Sequence, residues 1–409
     1  IRDRDVTGVQ TCALPISWIF HGGRPTIHLE RQSAATAGPV ACTIQVDDSA
    51  GQGLGWWQRL IVSAGDDTIV RSHPVELRER SLAFDVQEPA AFVLAGGRGL
   101  GYGAFPLDAH SRVWLLQHVE RVPEPLTRAV AWVALWDALL DGTVGAEAFI
   151  DGVIRALALE REESLIERLV AMLSKAFWLF LTAPMREAAA VRIETVLSQR
   201  LASSNSPASA AMWFSAYRHL VLSAEGCRWL ADVWSHEAQV PGLRLSDVDR
   251  VGTICELAVR EHAGWQSMLD AQLGRTVDPD LRGRLAFLAP ALSDDPGTRE
   301  TAWAELADVA HRRREPWVLA RVQWLNHPLR QVFARRFIVP GLDLLPELAR
   351  TGDIFFPSRW ASALLGGHGS AAAVALVDAW LRQRQDVDEP LRRNVLVAAD
   401  VLFAAARPR

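Results

Sequence analysis

Lysine is all but missing from this chain: Lys175 is the only one among 43 lysines and arginines in 409 residues. Acidic residues outnumber basic ones, 48 against 43, for a formal net charge of −5. Such a balance lacks the clustered basic charge of a nucleic-acid footprint, so no nucleic-acid partner is expected. Cysteine is sparse too. Cys12, Cys42, Cys227 and Cys255 are widely spaced and no Cys-x-x-Cys occurs, which gives no support to a zinc ribbon or a thioredoxin-like redox pair. The three beyond residue 16 read as buried thiols in a reducing compartment, and a cytoplasmic location is the expectation. Charges break every apolar run well short of the ~18 residues a membrane helix needs, so no membrane partner is expected. Arginine and alanine in place of lysine point to a GC-rich bacterial genome rather than to a function.

Hydrophobic residues make up 49% of the chain and charged ones 22%, ordinary values for a globular protein. The first residues are set aside. Asp5–Ile16 reads as a common sequencing adapter translated in one frame, and Ile1–Arg4 is assigned to the same read-through. Residues 1–16 lack the apolar run of a secretory signal. The expectation is that they are not native, and that Ser17 is an interior residue of a longer protein. The chain from Ser17 onward is long enough for two or three domains with sizeable cores.

Two regions of different periodicity succeed one another. From about Arg24 to Phe105 the pattern is strand-like, with alternation at Thr26–Glu30 and Cys42–Val46 and short runs at Trp57–Val62, Thr68–Val70, Leu82–Val86 and Ala91–Leu94. Turn residues separate them at Gly38-Pro39, Asp47–Gly53, Gly65–Asp67 and His73-Pro74, which predicts an antiparallel sandwich. From about Asp108 the period becomes 3.6, as in Ala129, Trp132, Val133, Trp136 and Leu140 on one face. Similar stretches, including Ser164–Leu181, Asp247–His262 and Pro328–Ile338, give about fourteen helices joined by short loops. Ser246 and Asp295-Pro296 are placed to start two of them. So many short-looped helices do not make one bundle, which predicts stacked pairs in a HEAT or armadillo-like superhelix. The fold class expected is therefore mainly α: a small antiparallel β-sandwich at 17–107, then an α-helical superhelix at 108–409. Most of the 16 tryptophans fall on these helices, where core packing is the simplest reading.

The search for chemistry returns little. A hydrolytic zinc site of the His-Glu-x-x-His kind puts two imidazoles one helical turn apart, with the Glu polarising a bound water. His236-Glu237 is the only His-Glu pair, and Val240 stands where the second ligand is needed, followed by the helix-ending Pro241-Gly242. Gly96–Gly103 is glycine-rich but has no lysine and wrong spacing for a phosphate loop, and reads as a turn. Gly367-His368-Gly369-Ser370 does not satisfy Gly-x-Ser-x-Gly, and Ser370 reads as a helix cap. His311–Arg314 reads as a solvated helix end. No catalytic and no metal residue is assigned, and substrate-binding residues stay unassigned.

Several segments in order resemble one family. Trp18–Pro25, Gly99–Asp108, Ala129–Asp137, Pro290–Ser293, Glu315–Val318, His327–Arg330 and Thr351–Pro357 are similar to landmarks of bacterial zinc aminopeptidases of the aminopeptidase N family. Trp18–Pro25 resembles the joint between that family's thermolysin-like domain and its β-sandwich, and Gly99–Asp108 the exit into its helical domain. The resemblance implies a parent enzyme that removes amino-terminal residues from peptides with one zinc, its metal and substrate-amine motifs lying upstream of Ser17. It implies a helical domain that closes over a substrate chamber, with peptide substrate and the missing upstream domains of the same chain as partners. No cofactor is expected in this chain, and alone it is expected to be inactive. The alternative is a helical-repeat scaffold that binds a protein partner and never had a protease attached.

Overall fold

The computed structural model describes residues 23–32, 39–87 and 89–407. The adapter-like segment and most of the landmark Trp18–Pro25 lie outside the described residues.

Six strands come first: β1 (Thr26–Arg31), β2 (Val40–Asp47), β3 (Gln58–Gly65), β4 (Val70–Leu77), β5 (Ser81–Val86) and β6 (Phe92–Leu94). They form two antiparallel three-stranded sheets, ordered β1-β2-β5 and β4-β3-β6. Along β2, Val40, Cys42, Ile44 and Val46 are buried while Ala41, Gln45 and Asp47 are exposed, the period-two pattern of a strand with one covered face. These side chains share one apolar core with Leu60, Val62 and Ala64 of β3 and Val75 and Leu77 of β4, so the two sheets face each other. His73-Pro74, read as a turn from the sequence, lies within β4. Pro74 pairs with Ile61 of β3, and β4 is an edge strand, the one place where a missing N–H costs no ladder bond.

Asp108 ends this region. Its Oδ1 accepts from the backbone N–H groups of His110 and Ser111, both at 3.1 Å, and caps the helix Ala109–His118. Ser111, fully buried, accepts through Oγ from Val93 N at 2.9 Å and ties that helix to β6. Helices then run to Ala405, so the protein is mainly α with a small antiparallel β part, as the periodicity predicts. Ser246 caps Asp247–Val259 with a reciprocal capping box to Asp249, and Ser370 caps Ala371–Gln383. Helices near in sequence pack on one another: Ala183–Ala202 on Pro207–Leu220, Ala224–Ser235 on Asp247–Val259, and Asp247–Val259 on Trp265–Arg275. Toward the end, one core gathers Val318, Phe337, Leu345, Trp360, Val377, Trp380 and Val395, and the Trp360 indole donates to Gly341 O at 2.9 Å. The tryptophans Trp132, Trp213 and Trp360 are fully buried, as core residues should be.

The chain divides into two compact units: the described residues up to Val144 with Asp151–Leu169, and Gly145–Ile150 with the residues from Val170 on. No described helix is long and apolar enough to cross a membrane.

Three local readings are corrected. Ser164–Leu181 is not one regular helix: Glu163–Lys175 gives way to a wide π turn at Ala176–Phe180. Pro328–Ile338 is broken into short 3₁₀ and α pieces. Arg312, expected in solvent, is 4% exposed; it donates to Leu306 O and Ala307 O at 2.7 and 2.8 Å and pairs with Glu347.

Candidate functional site

The second unit contains a cavity of about 430 Å³ that gathers residues from distant parts of the chain. Its first wall is the π turn. Wide turns of this kind cost regular hydrogen bonding and recur at functional sites. Here Arg186, buried on the next helix, answers the freed carbonyls: its Nη1 donates to Leu181 O at 2.7 Å and to Trp178 O at 3.3 Å. Trp178 is thereby held at the cavity, 3% exposed, with the His327 ring edge-on to it at 5.3 Å. Lys175, at the end of Glu163–Lys175, lines the same space and is itself exposed.

The second wall is a buried ion pair. Glu256 on Asp247–Val259 is 5% exposed. One oxygen takes Arg260 Nη1 at 2.5 Å, and the other takes His219 Nδ1 at 3.0 Å. Arg260 is fastened further, donating to Val221 O at 2.6 Å, His219 O at 3.0 Å and Glu256 O at 2.8 Å. Burial alone pushes the Glu256 carboxyl up, but Arg260 and then His219 outweigh it and bring it down to about 2. Glu256 is therefore a fixed negative charge at neutral pH. Arg260 also lines a second depression, of about 760 Å³, together with Arg228, Glu261 and His262.

The third wall is the segment after Glu315–Leu325. Asn326 Oδ1 accepts from His368 Nε2 at 3.0 Å, which leaves His368 Nδ1 bare and unpartnered. His327 Nδ1 accepts from Leu329 N at 3.3 Å, so its hydrogen sits on Nε2, a buried atom with no partner. Burial drives His327 well below 6.5 and His368 down to about 4, so both are neutral. The glycines singled out in the sequence now have a role. A Cβ on Gly367 would fall 1.7 Å from Asn326 O, and one on Gly369 would fall 2.6 Å from Leu179 O. Only glycine lets this loop lie against both the His327 segment and the π turn. Trp324, stacked on His327 at 6.0 Å, and Arg284 line the same space.

The lining carries positive charge from Lys175 and Arg284 beside the Trp178 and Trp324 indoles. It does not fit a zinc ion. Both Glu256 oxygens are committed, and among the described residues no three His, Cys, Asp or Glu side chains converge as ligands. His236, of the lone His-Glu pair, lies past the end of Ala224–Ser235 in a left-handed conformation with φ 74°, so that helix stops before the pair begins. Cys42, Cys227 and Cys255 are buried free thiols; burial pushes Cys42 up to about 11 and Cys255 up to about 12, and neither serves as a thiolate at neutral pH. Sequence reading assigned none of the cavity residues. The signals available to it were the solitary lysine and the paired glycines, each uninformative without the fold.

No family model matches the chain, and no curated protein matches it. Among solved structures, the chain is similar to Legionella pneumophila aminopeptidase A, crystallised in complex with aspartic acid, at a TM-score of 0.59 and 12% identity. The match covers 95% of this chain and 50% of that one, so the chain spans about half the length of that aminopeptidase. At this identity the likeness is one of fold.

Proposed function

We propose that this chain is the carboxy-terminal, non-catalytic part of a zinc-dependent aminopeptidase, in which the helices from Asp108 onward close a chamber that admits peptides. The observation that carries the reading is the fold likeness, which takes in 95% of this chain and only half of an aminopeptidase. The ordered landmarks from Gly99–Asp108 to Thr351–Pro357 support it from a different direction. In this reading the β-sandwich ends at Leu107, the helices stack in a HEAT-like superhelix, and the parent is a cytoplasmic bacterial enzyme.

The zinc of such an enzyme, bound upstream, would polarise the attacking water. In this reading the residues of this chain supply neither ligands nor base. Their part is to wall the substrate off and to hold the helices in register, which the Glu256–Arg260–His219 cluster does by joining Pro207–Leu220 to Asp247–Val259. The test is turnover of aminoacyl-anilide substrates by the purified chain with added zinc. The expected result is no hydrolysis above buffer. Zinc-dependent release of the aniline by this chain would refute the non-catalytic assignment.

A further inference from the structure

We draw no further inference here: the strongest candidate, the surface patch of exposed apolar side chains Val248, Val277, Ile354 and Phe355 at the N-terminal ends of the helices Asp247–Val259, Pro279–Leu292 and Phe356–Leu365, carries nothing, because nothing in the structure shows what covers it.

Discussion

Removing Arg260 should cost this protein more than any exposed ion pair could. Its side chain is 3% exposed, and it is bonded to Glu256 and to three backbone carbonyls, of Val221, His219 and Glu256. In Arg260→Met the stem still fills space, but Glu256 is left buried with only His219 beside it. Breaking a buried pair from one side costs about 3–5 kcal/mol, because the surviving charge keeps its desolvation penalty. The carboxyl gives an independent measure. Lowered from 4.5 to about 2, it is worth about 3 kcal/mol at ~1.4 kcal/mol per unit. A depressed carboxyl stabilises fully above its unfolded value and loses that contribution as pH falls from 4.5 toward 2. Without Arg260 the largest of the lowering influences is gone, and burial then pushes the carboxyl back up against His219. Urea unfolding followed by tryptophan fluorescence should show a deficit of about 3–5 kcal/mol at pH 7 that narrows toward pH 3. Arg260→Met with Glu256→Leu should recover at least half of it, since no charge is then stranded. A single-variant loss under about 1 kcal/mol, or a double variant no better than the single, would refute the reasoning.

Two further outcomes concern Gly367 and the neighbouring His368, which hydrogen-bonds Asn326. His368, neutral with its folded value down to about 4, takes up a proton on unfolding below 6.5, so stability is full above 6.5 and falls as pH drops toward 4. His368→Gln should flatten the pH dependence of unfolding in that window by up to about 1.4 kcal/mol per pH unit, read from urea midpoints at half-unit steps. Gly367→Ala should lose about 1–3 kcal/mol in the same assay, because Asn326 O stands 1.7 Å from the new methyl carbon; Gly142→Ala is the control, its Cβ meeting nothing within 4 Å and its cost coming only from φ 86°.

Much of the architecture was legible because it rests on local rules. Alternation marked β1 and β2, and side-chain caps marked Ser246 and Ser370, since each needs only a few neighbouring residues. Pro74 misled because a proline signals a turn unless its strand lies at an edge, and edge position is a property of the sheet. The π turn was invisible because Ser164–Leu181 keeps a helical apolar pattern through it, while the cause, Arg186 taking its carbonyls, lies on the following helix. Arg312 looked like surface for the same reason: the carbonyls and the Glu347 carboxylate that receive it are brought in by folding. The cavity was the least legible part. His219, Glu256 and His327 belong to three different segments, and none of them sits in a motif that calls for a ligand.

The central claim is that peptide-bond chemistry is supplied by a polypeptide preceding these helices. Sequencing the genomic DNA upstream of the codon for Ser17 tests it most directly. The expected result is an open reading frame that runs into this chain without a stop and encodes a His-Glu-x-x-His segment. A start codon immediately before Ser17, with no such frame behind it, would contradict the claim and leave a free-standing helical scaffold.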